Sequence, residues 1–185
     1  MGVSVEVPVS VITAMRKKAE ERVASFEHRI GAYGHNKVEN QVVGWMGEYA
    51  VRELYRAGGV NAHQNIKNND DPDLTIPAHT TLSGSHETRQ EEVKSWKSGF
   101  SWNEYGGTCT VFHAERYARK NRERVWFCEV DKPNRVVIVH GWATPAEILA
   151  SDIRITSSGE NHQLDVFRRV GEVMAWVEED KEGWF

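Results

Sequence analysis

Asp70-Asp71-Pro72-Asp73-Leu74-Thr75-Ile76 and Glu91-Glu92-Val93-Lys94-Ser95-Trp96 decide the fold. The first segment reads as a turn running into a strand, the second as a strand. Eighteen residues separate Asp73 from Glu92. A loop with Pro77 and Ser83-Gly84-Ser85 lies between the strands, so they can pair as neighbours. Strand side chains alternate between faces, so Glu92 and Lys94 point one way and Val93 the other. Pairing the strands brings two carboxylates and an ammonium to one spot.

The rest of the chain supplies layers for that sheet. Ile12, Met15, Ala19, Val23, Phe26 and Ile30 recur at helical spacing and predict one long helix ended by Gly31 and Gly34. A second helix is expected from Val38 to Ala57, stopped by Gly58-Gly59. Residues 97–109, rich in Ser, Gly and aromatics, read as a loop, and Val111 to Arg124 as a basic helix with Val111, Ala114, Tyr117 and Ala118 inward. Val125–Val130 and Val136–Val139 read as strands joined by the turn Asp131-Lys132-Pro133-Asn134. Thr144-Pro145-Ala146-Glu147 is a capping box with proline at the first helical position. A loop at 157–159, a strand near Leu164–Phe167 and a closing helix over 170–177 complete the pattern. The order helix, helix, strand, strand, helix, strand, strand, helix predicts an α/β fold: a central mixed sheet flanked by helices. One domain of 185 residues is expected. It divides into an N-terminal helical part (8–58), a core (39–150) and a C-terminal extension (151–185).

Composition limits the function classes. Charged residues are 27% of the chain and the net charge is −4, so any phosphate contact must come from a local basic patch. Cys109 and Cys128 have no companion at zinc spacing, which argues against a thiolate metal site. Two cysteines and no leader-like segment point to a reducing cytoplasm. No apolar run reaches the roughly 18 residues of a membrane span. No Gly-x-Gly-x-x-Gly or Gly-x-x-x-x-Gly-Lys element implies a nucleotide cofactor. His28, His35, His63, His79, His86, His140 and His162 form no catalytic or ligand spacing and read as surface or packing residues.

The carboxylate pair carries the chemistry. A hard cation such as Mg²⁺ takes oxygen ligands and keeps several waters, so Asp73 and Glu92 suffice as protein anchors, with the Val93 carbonyl as a neutral third oxygen. Lys94 can orient or deprotonate a water beside them. Upstream, Gly44 and Gly47 allow tight helix packing. Glu48 shares an apolar helix face with Trp45, Val51, Arg52 and Tyr55. Either it pairs with Arg52, worth about 0.3–0.5 kcal/mol, or it is a third carboxylate aimed into the same cleft.

The order Gly47-Glu48 on a helix, Pro72-Asp73 at a strand start and Glu92-Val93-Lys94 on the next strand resembles the PD-(D/E)XK nuclease superfamily. The resemblance covers residues 39 to 150 and matches at each core position. It implies a restriction-endonuclease-like fold and phosphodiester hydrolysis dependent on Mg²⁺ (or Mn²⁺). It also implies metal ligation by Asp73 and Glu92, a supporting carboxylate at Glu48, and Lys94 beside the attacking water.

In that context His113, Arg116, Arg119 and Lys120, near Arg122 and Arg124, read as phosphate contacts. The competing account is a solvated face partly neutralised by Glu115 and Glu123. Trp96, Lys97, Phe100, Trp102 and Tyr105 could stack on bases or serve packing or a dimer contact. The resulting expectation is a DNA endonuclease. The alternatives are a nuclease of RNA or of DNA ends, and a binding module that holds nucleic acid or protein without cutting. A homodimer is considered because two strands must be cut.

Overall fold

The computed structural model describes residues 2–25, 37–65, 71–81, 84–99, 107–156 and 159–164. The strands are β1 (Val3–Glu6), β2 (His63–Gln64), β3 (Leu74–Ile76), β4 (His79–Thr81), β5 (Gly84–His86), β6 (Arg89–Lys97), β7 (Gly107–Thr110), β8 (Arg124–Asp131), β9 (Val136–Ala143), β10 (Ile153–Thr156) and β11 (Gly159–Leu164). The helices are α1 (Val9–Ser25), α2 (Lys37–Ala57), α3 (Val111–Arg119) and α4 (Pro145–Ala150).

The fold is α/β. A six-stranded sheet has the order β1-β9-β8-β6-β3-β2. It is mixed, because β6 and β8 are parallel and connected through β7 and α3, while the other pairs are antiparallel. Alternation along β8 divides its layers. Trp126, Cys128 and Val130 join the core beneath α1 and α2, whereas Val125 and Phe127 join Ala114, Tyr117 and Ile148 of α3 and α4. On β6, Val93 belongs to the first layer and Trp96 packs on the second, so Glu92 and Lys94 lean toward α3.

Gly47 sets the height of α2 above the sheet. A Cβ there would overlap Ser95 Oγ and approach Cys128 Cβ to 3.4 Å. Gly44 has nothing within 4 Å of its Cβ position, so only one of the two expected close approaches is made. The capping box at Thr144 and Glu147 forms in full.

Several local expectations need correction. The 77–86 stretch, expected to be loop, contains the β4–β5 hairpin. Residues 107–110, also read as loop, form β7, which pairs with β11 in a second sheet, β10-β11-β7. The basic helix stops at Arg119 rather than Arg124. Asn121 turns left-handed at φ 50°, which asparagine tolerates, and Arg122 N–H closes the end on Tyr117 O at 3.1 Å. β11 covers Gly159–Leu164, including Gly159 that was expected to be loop, and residues 165–167 of the strand expected near 164–167 lie outside the described residues. Strands β1 and β10 were not anticipated. β10 leaves Ile153 and Ile155 exposed at the edge of a small sheet, so burial gives it little pattern. Phe26, Ile30, Gly31, Gly34, Phe100, Trp102, Tyr105 and the helix expected over 170–177 lie outside the described residues.

Candidate functional site

Strands β3 and β6 pair through Leu74↔Glu91, Thr75↔Gln90 and Ile76↔Arg89. Just beyond the Leu74↔Glu91 pair Asp73 takes over from the ladder: its Oδ2 accepts the Val93 N–H at 2.8 Å. The proline before it fixes the turn and donates no backbone hydrogen bond. Asp73 and Glu92 thus meet where the strands part, close enough to share a hydrogen bond that requires a proton on one of them. From above, Glu48 of α2 reaches the same place, buried and accepting Gln64 Nε2 at 2.7 Å. Glu48, Asp73, Glu92, Val93 and Lys94 all line one polar cavity of about 260 Å³. His113, Arg116 and Tyr117 of α3 close its far wall, and Trp45 and Arg22 border it from α2 and α1.

The expected Glu48–Arg52 pair does not form. Arg52 instead bonds Glu53 at 3.0 Å and lies 4.9 Å over the Tyr49 ring. Glu48 therefore takes the sharper of its two readings, an acid turned into the cleft. Burial holds its carboxyl well above the ordinary range. The charges of Asp73 and Glu92 add to the rise, and the Gln64 hydrogen bond opposes it. Burial likewise pushes Asp73 from 3.8 to about 7, with Glu92 adding and the Val93 amide subtracting. Lys94 is lowered, chiefly by burial, against the pull of Cys109, Asp73 and Glu92; its ammonium stands 5.4 Å from the Tyr117 ring centroid.

A buried cation was missed by the sequence reading. Arg122 is not a phosphate contact on a basic helix. It is buried, donates Nε–H to Glu92 Oε1 at 2.7 Å and also bonds the Gln90 side chain. The left-handed Asn121 turns it inward. Arg124 is likewise displaced from the helix onto β8, with its guanidinium 4.1 Å over Trp142. Gln64 was missed too, because a two-residue strand such as β2 has no pattern to read.

The remaining basic residues divide. Arg116 enters the cavity wall. Arg119 is exposed and Lys120 caps the helix end, both outside that wall. His113 lines the cavity, but burial with Lys94 and Arg116 nearby lowers its pKa to about 4. Its Nδ1 is 2.6 Å from the N-cap Thr110 hydroxyl. Trp96 stacks on Phe127 at 6.0 Å and so serves the core rather than a base. Cys109 and Cys128 are buried free thiols, and burial pushes Cys109 up to about 11.

Among the described residues, no group of three or more His, Cys, Asp or Glu side chains stands arranged to hold a metal ion. The carboxyls are instead turned to protein donors: Glu48 to Gln64, Glu92 to Arg122, and Asp73 to the Val93 amide. Also among the described residues, no helix is long and apolar enough to cross a membrane. Compared with known proteins, the chain matches no family model and no curated sequence.

The raised Asp73 pKa gives a stability prediction. Its folded value exceeds its unfolded one, so the folded state binds more protons between pH 3.8 and about 7. Stability of the chelated protein should therefore fall as pH rises through that window. Thermal melts in EDTA at pH 5 and pH 7.5 check the sign. A Tm higher at pH 7.5 would mean that the carboxyls do not repel one another.

Proposed function

We propose that this chain is a divalent-cation-dependent nuclease of restriction-endonuclease-like architecture, acting on DNA as an endonuclease. The observation that carries the proposal is the convergence of Glu48, Asp73, Glu92 and Lys94 on one polar cavity where β3 and β6 separate. A surface strand of solvated charges would not bring together residues 48, 73, 92 and 94 from three separate elements, nor bury two of the carboxyls.

The donor set fits Mg²⁺ or Mn²⁺. Asp73, Glu92, Glu48 and the Val93 carbonyl are all oxygen donors; burial first and repulsion between the carboxylates second raise Glu48 and Asp73, and a cation would relieve that repulsion. When bound, the cation supplies charge neutralisation at a phosphoryl group and a more acidic water. Asp73 and Glu92 would anchor the cation. Arg122 holds Glu92 by Oε1, which fixes the side chain and directs the other oxygen away from the guanidinium. Lys94, on the same face as Glu92, would orient the attacking water and face the charge that develops. Arg116, at the rim beside Lys94, binds the phosphate next to the one cut.

Incubating the purified protein with closed-circular plasmid, linear duplex DNA and RNA, each with and without Mg²⁺ or Mn²⁺, tests this function. Nicking or linearisation of the circle is expected. Loss of linear DNA alone identifies an exonuclease, and RNA cleavage alone a ribonuclease. Binding of DNA with no cutting in either cation would make the fold a binding module, its carboxyls locked by Gln64 and Arg122.

Neutralising Arg116, Arg119 and Lys120 together should weaken DNA binding regardless of sequence. The slope of log K against log salt should flatten by about 0.9 for each phosphate that the variant no longer neutralises. A slope equal to wild type would return α3 to a solvated face.

A further inference from the structure

A second cavity, of about 310 Å³, lies along the seam between α1 and α2. Its walls are Ala14, Met15 and Lys18 of α1 and Trp45, Tyr49 and Arg52 of α2. It adjoins the carboxylate cavity through two residues. Trp45 borders both, and Gln64 lines the second cavity while donating its hydrogen bond to Glu48. On α1, Lys18 faces the second cavity and Arg22, one helical turn later, faces the first. Two cations therefore run along one helix edge past the carboxyls. Between them and α2 are two aromatic rings, a methionine and the small side chain of Ala14.

We propose that this seam is a binding site for an unstacked nucleotide of the DNA strand being cut, adjacent to the phosphate held in the carboxylate cavity. The proposal rests on the nuclease reading of that cavity. The walls select the ligand by chemistry. Tyr49, partly exposed, offers flat surface suited to a planar base, over an apolar floor made by the largely buried Trp45 and Met15. Arg52, already stacked 4.9 Å over Tyr49, extends that platform with a cation. Lys18, exposed at the mouth, suits the attached phosphate. The volume admits one base with its sugar, at the lower end of small-ligand pockets. A base inside a duplex is paired and stacked on both faces and cannot enter, so the substrate must be single-stranded or carry a displaced nucleotide at the site of cutting. The acids of the first cavity repel the phosphates, and the flanking Lys18, Arg22 and Arg116 offset that repulsion on either side.

The test is equilibrium binding by the full chain in EDTA, where no cation-dependent cutting occurs. The probes are a fluorescent single-stranded DNA oligonucleotide and the blunt duplex of the same sequence. Wild type should prefer the single strand by about tenfold, the worth of one base stack. Ala14→Phe fills the seam from an exposed position, and Lys18→Glu reverses the charge at its mouth, again from an exposed position. Each should remove most of that preference while leaving the melting temperature near wild type. An oligonucleotide affinity unchanged in both folded variants, or no single-strand preference in wild type, overturns the proposal. Plasmid cleavage in Mg²⁺ is read separately. Cutting by wild type with unaltered oligonucleotide affinity in the variants removes the seam but keeps the nuclease. Seam-dependent binding with no cutting removes the nuclease but keeps the seam.

Discussion

Lys94→Ala is expected to lower the rate of cation-dependent DNA cleavage by about 10²–10⁴-fold, the usual contribution of a positioned proton-transfer group. Lys94 lies on the face of β6 that carries Glu92, lines the polar cavity and rests near the Tyr117 ring. Its burial lowers its pKa, so the ammonium contributes little to folding and its loss should leave the melting temperature within a few degrees of wild type. DNA affinity, measured in EDTA, should also be retained, because the proposed phosphate contacts are Arg116 and the seam. Cleavage near the wild-type rate would remove Lys94 from the chemistry. Collapse of the fold would show that its role is structural.

Glu91→Ala should produce the largest loss of stability. Glu91 is fully buried one residue from the site. Tyr55 OH donates to its carboxylate at 2.9 Å and Trp126 Nε1 at 2.6 Å, while Arg89 and Arg124 stand at 3.6 and 4.0 Å. It therefore joins α2, β6 and β8 through one buried anion. Removing it takes the acceptor from two buried donors and a counter-charge from two arginines. The expected cost is about 3–5 kcal/mol, or roughly 6–20 °C in Tm for a domain of this size. Glu91→Gln keeps an acceptor and should cost less. A thermal melt of the alanine variant within a degree or two of wild type would refute this account of the core.

The sheet and its carboxylates were legible because they rest on short-range rules. Strand alternation alone put Glu92 and Lys94 on one side and Val93 on the other, and Pro72-Asp73 marked where β3 begins. The helical period gave α2 nearly to the residue, and the Thr144 box gave the start of α4. What could not be read depends on neighbours distant in sequence. Glu91 was in plain view beside Glu92, and alternation placed it on the inward face with Val93. Its acceptability there required knowing that Tyr55 and Trp126 would meet it. Arg122 was read as helical because its neighbours are basic. The signal that existed was Asn121, a residue that tolerates the left-handed turn ending α3. Gln64 sits on a two-residue strand and is identified as part of the site only by its bond to Glu48.

The central claim is that the acids at the parting of β3 and β6 cut phosphodiester bonds with a divalent cation. The most direct measurement is the cleavage rate of supercoiled plasmid by wild type and Asp73→Asn, titrated with Mg²⁺ from an EDTA-treated stock. Asparagine keeps an oxygen to accept the Val93 N–H, so the variant should fold and bind DNA. The account predicts that wild type cuts only as Mg²⁺ is restored, and that Asp73→Asn is slower by at least about 10²-fold throughout. Cleavage by wild type that persists in excess chelator, or equal rates for the two proteins, would contradict it.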